Sequence, residues 1–170
     1  SRRDFLRNLG LATAGLALAP TLDVFAAKKP WFDISLAQWS LHKTLFKGDI
    51  KNIDFPELAA KEFGIYGVEY VNQFFKDKAK DMTYLKDLND RAKSNGVKNV
   101  LIMVDGEENL GDADEKKRVQ AVENHYKWID AANFLGCSAI RVNAAGQGTN
   151  EEVKERVVKS LSSLADYGKK

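Results

Sequence analysis

Among 170 residues there is one cysteine, Cys137, so no disulfide can form within the chain. It follows Leu135-Gly136 at a helix-to-strand junction, where a small buried apolar role suits it better than that of a reactive thiol. Charge of one sign is lacking as well: 26 basic residues stand against 24 acidic ones, interspersed along the chain. Such a balance describes a solvated surface and excludes the basic footprint of a nucleic-acid binder. No apolar run is long enough to span a bilayer securely; the one between Leu9 and Pro20 is short and rich in Gly and Ala. There is no His-x-x-x-His, no cysteine pair and no two carboxylates that local spacing alone would join, so no metal site is written in the local sequence. A Gly-x-Ser-x-Gly nucleophile elbow is missing, and no strand is followed by a Gly-x-Gly-x-x-Gly or P-loop pattern.

What is present begins with an address. Arg2-Arg3 precede the moderate apolar run, and Val24-Phe25-Ala26 has the small-residue pattern of a cleavage site. This describes a twin-arginine export signal over residues 1–27, with processing near Ala26. The expectation is a protein carried to the periplasm by the twin-arginine machinery, which accepts folded cargo. The signal contributes nothing to the fold. The folded part is expected over residues 31–170.

Residues 132–149 set the pattern for the rest. Gly136 suits a helix end in left-handed geometry, and residues 138–142 (SAIRV) are a short β-branched run bounded by turn signals. Asn143 and a small, flexible loop follow, and Thr149 and Glu152 have the spacing of a capping box. Three earlier units repeat this order. Residues 32–40 alternate Ile34 and Leu36 with Ser35 and lead to Gln38, Ser40 and His42, after which Asp54-Phe55-Pro56-Glu57 starts a helix that stops at Gly64. Residues 67–71 form a second strand ending at Asn72, and the helix after it aligns Leu85, Leu88 and Ala92 on one face. Residues 100–104 (VLIMV) read as a strand covered on both faces. The acidic loop 107–114 leads to a helix with a stripe of Val119, Val122, Tyr126 and Ile129. The last helix is expected to bury Val153, Val157, Leu161 and Leu164, and to end at Gly168.

The strand centres lie about 35 residues apart, which suits β-α-β crossovers and a parallel α/β sheet. A doubly wound sheet and a (βα)8 barrel share that spacing. The barrel needs roughly 250 residues, so the reading favoured is a TIM barrel of which the first four βα units are present. In either architecture the chemistry sits at the carboxyl ends of the strands. Those ends carry Gln38, Trp39, Ser40 and His42; Glu69 and Asn72; Asp105; and Arg141 and Asn143. A polar rim with one indole suits a polyhydroxylated ligand, because sugar hydroxyls take paired donors and acceptors while the apolar sugar face packs on a ring. Each residue also has a structural alternative. Glu69 could pair with Arg141, Asp105 could serve the turn before Gly106, Asn143 could cap the loop and His42 could be solvated. His125, in mid-helix, reads as a packing or surface residue.

Residues 34–42 (ISLAQWSLH), 67–72 (GVEYVN) and 135–143 (LGCSAIRVN) resemble the sugar phosphate isomerase/epimerase family, whose members have the xylose isomerase-like TIM barrel. The resemblance implies proton transfer through an enediolate-like intermediate on a small sugar. It also implies a divalent metal, Mg or Mn, held by Glu, Asp and His on the fifth to eighth strands. None of those ligands is assigned in this segment, so the segment alone is expected to bind no metal and to be inactive, with an isomerase or epimerase formed only at full length. The positions that match the family's substrate-lining half are Trp39, His42, Glu69, Asp105 and Asn143. A keto-sugar lyase or dehydratase on the same barrel and a non-catalytic carbohydrate-binding barrel remain open. Apurinic-site endonucleases share the fold, but the expected export and the missing basic face argue against nucleic acid.

Overall fold

The computed structural model describes residues 32–169; the stretch expected to be an export signal, with its expected cleavage site, lies outside the described residues. Four strands, β1 (Leu36–Ala37), β2 (Gly67–Val71), β3 (Lys98–Met103) and β4 (Ala139–Arg141), form one sheet in the order β1-β2-β3-β4, every pair parallel. A doubly wound sheet reverses its strand order at a switch point. Here the order never reverses, as in the wall of a barrel. The α/β reading and the choice of a barrel's first four βα units therefore hold.

Among the described residues five α-helices accompany the strands: α1 (His42–Lys47), α2 (Phe55–Phe63), α3 (Met82–Ser94), α4 (Glu115–Leu135) and α5 (Asn150–Gly168). Their ends follow local chemistry. Pro56 sits in the first turn of α2, where the missing N–H is no loss. Asp81 accepts from the Tyr84 amide, Asp114 from the Lys116 amide, and Thr149 and Glu152 close a full capping box on α5. Gly136 ends α4 at φ 75°, a conformation that costs a side-chain-bearing residue energy. Asp54 is an exception to its reading: its side chain makes no cap hydrogen bond and instead takes Arg91 Nη1 at 2.8 Å. At the other end, Gly168 remains helical and Lys169 forms the cap.

The main core lies between the sheet and the helices, where Val68, Tyr70 and Ile102 meet Phe55, Leu85, Leu88 and Trp128. β2 and β3 shift register between Val68 and Glu69, which pair with Asn99 and Leu101 and leave Val100 as the extra residue of a bulge. Asn99 consequently sits in the helix layer, accepting from Tyr70 Oη at 2.7 Å and donating to the Leu135 carbonyl at 2.9 Å. Burial pushes the Tyr70 hydroxyl well above its ordinary pKa.

Three expectations need correction. The first strand is two residues long, not nine, because the chain turns at Gln38 into a 3-10 helix over Gln38–Leu41. On α4 the buried face is Ala121, Val122, His125, Trp128, Ala131, Ala132 and Leu135, while Val119 is exposed. Small alanines let the helix approach, and the indole fills the core. On α5, Ser160 takes a buried place, its hydroxyl donating to the Leu110 carbonyl at 2.7 Å, while Leu161 is exposed.

Candidate functional site

The sheet has an inner face, opposite the helix layer, and register places its residues in rows. Ala37, Glu69, Leu101 and Ala139 form one row. Val71, Met103 and Arg141 form the next. Beyond them, at the carboxyl ends of β3 and β4, stand Asp105 and Asn143.

Two strand-end residues that read as rim are structural. Gln38 is buried: its Oε1 accepts from the Val71 amide at 2.7 Å and its Nε2 donates to Asn52 Oδ1 at 2.5 Å. Because β1 stops at Ala37, its next carbonyl no longer faces Val71, and the side-chain amide serves instead. Asn72 works the same way between β2 and β3. Its Nδ2 donates to the Asp105 carbonyl at 2.9 Å and its Oδ1 accepts from the Asp105 amide at 3.0 Å. Both amides hold the strand ends at a fixed separation, and Asn72 holds the backbone of Asp105 in particular.

Asp105 and Asn143 come together with Arg141. Arg141 Nη1 donates to Asp105 Oδ1 at 3.1 Å and to Asn143 Oδ1 at 2.6 Å, while Asn143 Nδ2 donates to Asp105 Oδ1 at 2.7 Å. The Asp105 side chain is 21% exposed and that of Arg141 44%. The Glu69–Arg141 pair, one of the two readings open for Glu69, does not form. Glu69 lies a row deeper, accepts from Ser35 Oγ at 2.5 Å and is half-buried, while Arg141 turns to Asp105.

At the end of β1, Trp39 and His42 also meet, stacked with ring centroids 4.8 Å apart, and His42 Nδ1 lies 2.7 Å from the Trp39 carbonyl. Trp39 is 46% exposed. Phe46 packs edge-on against it and leans on Phe74, extending the aromatic surface. These two phenylalanines were not singled out from sequence; Phe46 lies seven residues after Trp39, two helical turns, which is the signal that could have found it. Another omission is Glu107, buried in the loop after β3, where it accepts from Trp128 Nε1 at 2.8 Å and pairs with Lys127 at 3.0 Å. It anchors the loop that follows Asp105. His125 is a packing residue, its Nδ1 2.7 Å from the Ala121 carbonyl, and burial lowers its pKa.

The loops after β3 and β4 touch backbone to backbone. The Gly111 amide donates to the Ala145 carbonyl at 2.8 Å, and Arg156 on α5 reaches both Gly111 O, at 2.9 Å, and Gln147 O. Among the described residues no three His, Cys, Asp or Glu side chains are grouped to hold a metal ion. The four described strands therefore offer no donor set for the metal that the resemblance implies on later strands.

Four parallel strands in consecutive order, with polar groups gathered at their carboxyl ends, define part of a TIM-barrel wall. The sequence profile of the xylose isomerase-like TIM barrel matches residues 58–170, and the chain belongs to that family. Solved structures agree in fold. A D-psicose 3-epimerase determined in the presence of D-fructose superposes with a TM-score of 0.63 at 13% identity, covering 81% of this chain and 49% of that one. A Sinorhizobium meliloti protein gives 0.59 at 13% identity, over 80% and 46%. The IOLI protein with a bound zinc atom gives 0.58 at 16% identity, over 80% and 47%. The chain thus spans about half the length of these structures. No curated protein matches it in sequence.

Proposed function

We propose that this chain supplies the substrate-lining part of an exported sugar isomerase or epimerase. The observation that carries the reading is the rim itself: an exposed Trp39–His42 stack and the Asp105–Arg141–Asn143 cluster on one sheet edge of a xylose isomerase-like barrel. Rings at one end and paired donors and acceptors at the other suit the two kinds of surface a sugar presents. Trp39 takes the apolar sugar face, and Glu69, Asp105 and Asn143 take hydroxyls. In such a reaction a proton leaves and returns beside the carbonyl, and these residues hold the sugar in place while it does. The reading includes a divalent metal, Mg or Mn, carried by strands other than the four described, and passage to the periplasm through the twin-arginine machinery. Among the described residues no helix is long and apolar enough to cross a membrane.

The test uses protein expressed from its complete reading frame with Mg or Mn, incubated with D-fructose and other unphosphorylated and phosphorylated hexoses. An epimerised or isomerised sugar is the expected product, with Trp39→Ala lowering kcat/KM about tenfold or more through lost ring contact. An unsaturated elimination product would instead identify a lyase or dehydratase. Sugar binding with no product from any hexose would identify a carbohydrate-binding barrel.

A further inference from the structure

Asp105, Arg141 and Asn143 use only part of their hydrogen-bonding capacity on one another. Both hydrogens of Arg141 Nη1 are engaged, by Asp105 Oδ1 and Asn143 Oδ1, and Asp105 Oδ1 accepts twice. Among the described residues, Arg141 Nη2 and Nε and Asp105 Oδ2 have no hydrogen-bond partner. One acceptor and one donor edge are therefore left over, on two side chains already locked together and partly open to solvent. The lock is tight at its base, because the Asn72 amide clamps the Asp105 backbone through both its donor and its acceptor. The charges of carboxylate and guanidinium cancel within the cluster, so it exerts no net pull on a phosphate.

We infer that Asp105 and Arg141 form a bracket for two adjacent sugar hydroxyls, with Asn143 as the positioning residue that holds the bracket closed. One hydroxyl donates to Asp105 Oδ2, and its neighbour's oxygen accepts from the free edge of Arg141. A vicinal diol presents a donor and an acceptor on neighbouring atoms, and the bracket offers their complements on side chains with fixed orientation. Arg141, which reads from sequence as a rim residue or a structural partner for Glu69, becomes a residue that selects substrate. The inference rests on the sugar reading above and specifies which part of the sugar this edge reads.

The experiment is equilibrium binding of D-fructose and its 3-deoxy, 4-deoxy and 5-deoxy analogues to the complete protein, measured by calorimetry without turnover. The variants are Asp105→Asn, Arg141→Lys and Asn143→Ala, with melting temperatures recorded in parallel. In the wild type, two analogues lacking adjacent hydroxyls are expected to bind more weakly than D-fructose, each by roughly tenfold or more. Asp105→Asn and Arg141→Lys are each expected to weaken D-fructose by a similar factor while leaving nearly unchanged only the analogue that lacks the hydroxyl held by the substituted residue, and Asn143→Ala to weaken D-fructose to a smaller degree. Variants that bind every sugar as the wild type does would overturn the bracket. So would variants that weaken all four ligands equally with a fall in melting temperature, since that is the mark of a tie between strand ends. Failure of the wild type to bind any of the four overturns it too. Binding with the expected pattern but no isomerised product would leave the bracket standing and remove the isomerase reading, so the two fail separately.

Discussion

Gln38 and Asn72 use side-chain amides where a longer strand would use its backbone. Each is buried with donor and acceptor both paired, so truncation leaves partners in the interior that water cannot reach. Gln38→Ala is expected to cost about 1–3 kcal/mol in a denaturant titration, by orphaning the Val71 amide and Asn52 Oδ1. Unchanged stability would show that water replaces the amide. Cys137 gives a second prediction at this scale. Burial pushes its thiol up to about 12, so it remains protonated at about pH 8 and should resist iodoacetamide until the protein is unfolded. Rapid labelling of the native protein would contradict that. The sequence singles out Asp105 and Asn143 as candidates because they follow strands, and placement after a strand is a local property. It could not tell that Gln38 and Asn72 turn back onto the backbone, or that Glu69 takes Ser35 and leaves Arg141 to Asp105. Those choices depend on register between strands some thirty residues apart.

At the scale of elements, caps were the most readable feature. Gly64 and Gly136 end helices in left-handed geometry, and Thr149–Glu152 starts one, because a cap is settled by a few neighbouring residues. β1 was least readable, since its alternating pattern continues through residues that tertiary contacts fold into a 3-10 turn. The meeting of the loops after β3 and β4 was also hidden, although its requirement is sharp. A methyl group on Gly146 would lie 2.1 Å from the Gly111 carbonyl oxygen and 2.5 Å from its carbon, both backbone atoms that no rotamer change can move. Gly146→Ala is therefore expected to force the two loops apart and lower the melting temperature. Because these loops follow Asp105 and Asn143, sugar affinity should fall in the same variant. Wild-type stability and affinity in Gly146→Ala would show that the loops yield freely.

Over the whole molecule, consecutive parallel strands and a family match over residues 58–170 establish a xylose isomerase-like barrel wall. The lack of a dinucleotide or P-loop motif after any strand favoured a barrel and length made it a partial one, while strand order decided between that and a doubly wound sheet. The substrate was less readable, because a sugar-lining rim is assembled from four strand ends and every one of its residues has an ordinary structural use as well. The chain covers roughly half of the solved structures it resembles, and the chemistry is a proposal for the whole protein. Proton transfer beside a sugar carbonyl leaves a direct trace in heavy water. The decisive measurement is NMR of ketohexoses incubated with that protein and Mg or Mn in deuterium oxide. The account predicts solvent deuterium at the carbon next to the carbonyl, arising at least as fast as product and slowed in Asp105→Asn and Arg141→Lys. Product formed with no solvent deuterium and no response to either variant would contradict it, as would sugars that remain fully protonated and unchanged.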